Sequence, residues 1–125
     1  MAEGIAQKIL GPNIQVESAG THPNDSDPPA ENGVITVRSR FGVDISSHRA
    51  RGVPDLRNAD FDYIVPLADV VEADLRRSFP GLGSKLIRSW GIDDPYLGDL
   101  QTYEETAAEI EKHMVEFSTF LRERA

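Results

Sequence analysis

No cysteine occurs among the 125 residues, which removes disulfide frameworks, zinc-thiolate sites and every thiol-based mechanism from what these residues do by themselves. The groups left for chemistry are carboxylates, hydroxyls, guanidinium groups and a few histidines. Two segments concentrate them: His48-Arg49-Ala50-Arg51, and Asp93-Asp94-Pro95-Tyr96 with Gly98-Asp99 behind it. Each has an ordinary reading when taken alone. Asp94-Pro95 opens a turn, because an aspartate carboxylate bonds backbone amides just ahead of it. A lone histidine such as His48 is a structural group, and Arg49 and Arg51 are either oxyanion holders or solvated, salt-bridged cations.

The elements that would position these groups follow from periodicity. Met1, Ile5 and Ile9 beside Ala2, Ala6 and Leu10 make an apolar stripe at helical spacing, stopped by Gly11-Pro12. Residues 13–18 alternate like a strand and lead into a polar, Pro-rich loop from His22 to Pro29. Asp27-Pro28-Pro29 reads as a helix start, with Ala30, Val34, Val37 and Phe41 as the buried face and Gly42 as the stop. Residues 43–50 read as a short strand or extended turn, and 62–67 as a fully covered strand. A helix over about Asp69 to Ser78 places Val70, Val71 and Leu75 on one side, before Phe79-Pro80-Gly81 breaks it. Residues 85–90 are a further strand candidate. After a loop over 91–101, Thr102 with Glu105 forms a capping box for a long amphipathic helix carrying Tyr103, Ala107, Ile110, Met114, Phe117 and Leu121.

This alternation predicts a single α/β domain over residues 1–125, a parallel sheet covered by helices on both faces, which one more strand before the first helix would complete. With 39% hydrophobic and 27% charged residues the chain suits one compact core. Its formal net charge of −8 repels nucleic acid and anionic membrane surfaces. No apolar run approaches the roughly 18 residues that span a bilayer, and the first ten residues lack a signal-peptide core, so a cytoplasmic location is expected.

Several segments, in order along nearly the whole chain, resemble the low-molecular-weight protein tyrosine phosphatases. Met1-Ala2-Glu3-Gly4 resembles the helix start that follows the family's catalytic loop, and Val16-Glu17-Ser18-Ala19-Gly20-Thr21 its second strand and turn. Residues 42–51, ending His48-Arg49-Ala50-Arg51, resemble a block ending His-x-Ala-Arg. Phe61-Asp62-Tyr63-Ile64 resembles the third strand, and Asp94-Pro95-Tyr96 followed by Gly98-Asp99 resembles the acid loop. Two departures stand out. Leu67-Ala68 occupies a place where the family commonly has Met-Asp, and the loop from His22 to Pro29 is shorter and has no aromatic residue.

The resemblance implies a three-layer sandwich and hydrolysis of phosphotyrosine monoesters through a phosphocysteine, without cofactor or metal. It implies Asp94 as the general acid, Tyr96 as a wall stacking on the phenyl ring, and Ser18 and His48 as groups that brace the catalytic loop. The cysteine and phosphate-clamping arginine of that loop are not assignable here. The expectation is therefore a chain that lacks the first central strand and its loop, is inactive as it stands, and takes a phosphotyrosine protein or small aryl phosphate once the loop is restored. The alternative is a non-catalytic relative that binds a phosphoprotein or another partner. Thioredoxin-coupled arsenate reduction on the same fold needs several cysteines. Sheet edges left without a central strand would also favour self-association.

Overall fold

The computed structural model describes residues 1–20, 29–57 and 60–124. Helix α1 spans Ala2–Leu10, α2 Glu31–Phe41, α3 Asp69–Ser78 and α4 Leu100–Glu123, with a short 3-10 turn at Gly83–Lys85. The expected helix start at Asp27 and most of the loop before it lie outside the described residues; the residue preceding α2 is Ala30, which offers no side-chain cap. Gly42 ends α2 in the left-handed conformation at φ 69°, its amide donating to Arg38 O, a geometry that a residue with a Cβ adopts only with strain.

Two hydrophobic clusters form. The first joins α1, α2 and α4 through Ile5, Val37, Phe41, Ala107, Ile110 and Met114, with Ile45 and Ile92 added from loops. The second lies around Leu56, Leu75 and Leu86, where α3 packs. Extended chain lies between them: the segment around residues 85–92 gives Leu86 to the second cluster and Trp90 and Ile92 to the first. On α3, Val71 and Leu75 face this second cluster, whereas Val70 is 67% exposed, contrary to expectation. At 100° per residue, positions 71 and 75 nearly eclipse, while position 70 is turned well away from 75.

Of the expected strands, 62–67 and 85–90 meet at the isolated parallel bridge of Ile64 with Leu86, while a second isolated parallel bridge, Gly20 with Gly52, lies just beyond 13–18 and 43–50; among the described residues no longer ladder forms. Residues 13–18 have no backbone hydrogen-bond partner among the described residues, and residues 43–50 contain a turn in which His48 N donates to Ile45 O at 3.0 Å. The ladder at Ile64 has a physical stop. Ile64 N donates to Lys85 O and Ile87 N to Ile64 O, but the next donor on that strand would be Pro66, which has no N–H. The opposing amide is also diverted, since Ser89 N donates to the Glu72 carboxylate. Register then slips by one at Trp90, whose N donates to Pro66 O, and by one more at Ile92, whose N donates to Leu67 O. Beyond these slips Trp90 and Ile92 pack in the first core, whereas Leu86 serves the second.

Helix α4 begins two residues before the expected cap. Asp99, not Thr102, is its N-cap: the Asp99 carboxylate accepts from Thr102 N at 2.8 Å and from Thr102 Oγ1 at 2.7 Å, while Glu105 accepts from Gln101 Nε2. These bonds from the Thr102 hydroxyl and amide hold the Asp99 carboxyl below its usual range. A lowered folded-state pKa means that the cap stabilises the fold above the unfolded carboxylate value and is lost as pH falls through the folded one. Asp99→Ala is expected to lower the thermal midpoint by a few degrees at neutral pH and to leave it nearly unchanged in strong acid; Asp99→Asn, still a good cap, should lose less. Thermal melts by circular dichroism across that range check this.

Candidate active site

The amino-terminal turn of α1 brings together groups from three distant parts of the sequence. Ser18 Oγ donates to Glu3 Oε1 at 2.8 Å, and His48 Nδ1 lies 3.6 Å from the other Glu3 oxygen. Ser18 and His48, singled out from the sequence, therefore meet through a residue that had been read only as part of a helix start. An acidic residue in the first turn of a helix is favoured by the helix dipole, and that was the signal available for Glu3. A cavity of about 200 Å³ adjoins this cluster, lined by Met1, Glu3, Gln7, Asp44, Ser47 and His48 among others. Asp94 and Tyr96 are not among its lining residues.

Both arginines nearby are engaged with the protein itself. Arg49 Nη1 donates to Ser46 O and His48 O at 3.0 and 2.7 Å. Arg51 Nε donates to Ser18 O at 2.8 Å, and its Nη2 lies 3.6 Å from Glu17. Of the two readings given for these cations, the structure shows the bonded one, and Arg51 fixes the backbone of Ser18.

The acid loop runs from buried Ile92 to the start of α4. Asp94 Oδ1 accepts from Tyr96 N at 3.0 Å, a local turn of the kind that Asp-Pro forms by itself. Asp94 is exposed, Tyr96 is 70% exposed and Leu97, at φ 66°, is 86% exposed. Gly98 is obligatory at this place: a Cβ there would stand 2.7 Å from Pro95 O and 2.9 Å from Thr102 Cγ2. Asn32 of α2 donates to Gly98 O at 3.4 Å, so the loop is tied to α2 as well as to the cap of α4.

Two titratable groups feel the charge of Asp94. Burial pushes the Tyr103 phenol above its ordinary value, and the Asp94 carboxylate and the Tyr96 phenol add to the shift. Burial lowers the Met1 amine, while Glu3 and Asp94 oppose that shift. Asp94 thus acts electrostatically on both the start of α1 and the first turn of α4. Gly33 of α2 marks where these two elements meet, since a Cβ on it would touch Met1 Cγ and the Tyr103 ring, both at 3.4 Å. In an absorbance titration, Tyr103 is expected to ionise above the ordinary phenol value, and Asp94→Asn to bring its midpoint down. Because the folded state holds this proton more tightly, its contribution to stability is complete below the unfolded tyrosine value and is lost as pH rises through the folded one.

The sequence profile of the family described as "Low molecular weight phosphotyrosine protein phosphatase" matches residues 1–125, and the chain belongs to that family. The probable low molecular weight protein-tyrosine-phosphatase EpsP of Ralstonia solanacearum is 26% identical over 117 residues, covering 90% of this chain and 79% of the relative. Arsenate reductase 1 of Staphylococcus haemolyticus is 30% identical over 122 residues, covering 97% and 86%. Among solved structures, the low molecular weight protein tyrosine phosphatase from T. tengcongensis superposes with a TM-score of 0.80 at 26% identity, over 97% of this chain and 88% of that one. Vibrio vulnificus Wzb, solved with benzylphosphonate, gives a TM-score of 0.84 at 19% identity, over 94% and 86%, a likeness of fold alone. The fold is therefore of the α/β class of this family. No helix among the described residues is long and apolar enough to cross a membrane.

Proposed function

We propose that these residues form the proton-donor side of a phosphomonoester hydrolysis site, acting on phosphotyrosine protein or a small aryl phosphate. Asp94 is the general acid, Tyr96 is a wall for the aryl ring, and Glu3, Ser18 and His48 are positioning groups at the start of α1. The observation that carries this reading is the placement of the acid loop, which Asn32 ties to α2 at Gly98 O and which leads into α4, whose Tyr103 meets Met1 at the start of α1 across Gly33. The amide groups at a helix start favour a phosphate there, and a carboxyl group beside a phosphate dianion keeps its proton more readily.

In the reaction, a thiolate attacks phosphorus and the phenolate leaves, taking the proton of Asp94. Water then attacks the phosphocysteine, giving its proton back to Asp94, and phosphate departs from sulfur. None of the 125 residues is a cysteine, so the thiolate has to come from residues other than these. The test is a fusion that places a β-strand and a Cys, five residues, Arg loop ahead of Met1. Aryl phosphate turnover and a phosphocysteine trapped by acid quench support the reading; a folded fusion with neither would end it.

The absence of cysteine favours a second reading, a non-catalytic relative that holds a phosphate group without cleaving it. Calorimetric titration with a phosphotyrosine peptide separates the two, since no association at about millimolar peptide removes this one. Self-association belongs to the same proposal. Among the described residues no backbone partner meets the amides of Tyr63 and Val65, and open strand edges of this kind recruit other chains. Sedimentation that finds monomer at all concentrations would remove it.

A further inference from the structure

The second core carries a cavity of its own, of about 250 Å³, between the end of α3 and the 3-10 turn. Leu56, Phe79 and Leu82 line it, and all belong to the second hydrophobic cluster. Arg57 and Lys85 complete the lining with Gly81. These two cations differ in availability. The guanidinium of Arg57 is held by Asp55, with Nε 2.9 Å and Nη2 2.8 Å from its carboxylate oxygens. The Lys85 ammonium meets no carboxylate among the described residues. Within a chain of net charge −8, this hollow pairs an apolar wall with an unshared positive charge.

We infer that this cavity binds a small amphiphilic monoanion, an aromatic or short aliphatic body carrying one carboxylate or sulfonate. Its apolar part displaces water from Leu56, Phe79 and Leu82, which is favourable in proportion to the area covered. The anionic head reaches Lys85, whose flexible stem adapts to the head's position, while the N–H groups of Arg57 not used by Asp55 remain as further donors. The volume falls just under the usual range for drug-sized ligands, about 300 to 1,000 Å³, so the ligand has the size of one or two fused rings. No carboxylate of the acid loop and no residue of α1 lines this cavity, and it is separate from the candidate active site.

Naphthalene-1-sulfonate titrated into the isotopically labelled chain tests this by amide NMR. Saturable shifts should centre on Leu56, Leu82 and Lys85, and Lys85→Met, an exposed change that leaves the far-ultraviolet spectrum intact, should weaken binding by about threefold or more. The neutral 1-naphthalenemethanol should bind more weakly to the original chain and equally to the variant. Shifts that gather at Met1 and residues 94–98, binding unaffected by Lys85→Met, or no shift at about millimolar ligand would each overturn the inference.

Discussion

A polypeptide of these 125 residues is expected to release nitrophenolate from para-nitrophenyl phosphate no faster than buffer does. The proton donor has little to contribute alone, because phosphoryl transfer in this chemistry needs a nucleophile that is largely ionised at neutral pH, and only a thiolate among ordinary side chains combines that with high intrinsic reactivity. Among the described residues, Ser18 Oγ and Thr102 Oγ1 donate hydrogen bonds to the Glu3 and Asp99 carboxylates, but a carboxylate is too weak a base to leave a serine or threonine hydroxyl ionised at neutral pH. Enzymes of ordinary competence exceed the uncatalysed reaction by about a million-fold or more, so the fusion with a thiolate loop should differ from the bare chain by at least that order. Turnover by the bare chain that disappears in Asp94→Asn would mean that some other nucleophile is present.

Ile5→Ala should remove a large part of the stability of the fold. Ile5 is fully buried where α1, α2 and α4 meet, in contact with the cluster that holds Val37, Ala107 and Ile110. Truncating such a side chain costs about 2 to 5 kcal/mol, through lost transfer free energy and an unfilled cavity, out of a total of roughly 5 to 15 kcal/mol for a domain. The urea midpoint should fall by roughly 1 M or more. Val70→Ala, at 67% exposure, provides the control and should stay within about 0.5 kcal/mol of the original. Equal effects at the two positions would show that α1 is not packed as described.

What the sequence disclosed is local. Helix α1 follows from the four-residue steps of Met1, Ile5 and Ile9 and the stop at Gly11, and the end of α2 from Gly42. The start of α4 was misplaced because Asp99 and Thr102, both good caps, lie within one turn, and the pattern of Thr102 with Glu105 does not say which oxygen reaches the free amides. The strand segments were legible as apolar runs, but hydrogen bonding depends on a partner: Pro66 has no donor, and Ser89 gives its amide to Glu72. Glu3 escaped notice for the same reason, since its bonds to Ser18 and His48 join positions far apart in the chain. The acid loop was visible as a motif, while its tie to Asn32 was not.

The role proposed for Asp94 is to give a proton to the leaving phenolate. Its most direct measurement compares Asp94→Asn with the parent, both fused to the thiolate loop, on phenyl phosphate and on a dinitrophenyl phosphate. Poor leaving groups need the proton and good ones do not, so the substitution should lower kcat by about 10²- to 10⁴-fold on phenyl phosphate and far less on the dinitrophenyl ester. Equal losses on both substrates, or no loss on either, would contradict it.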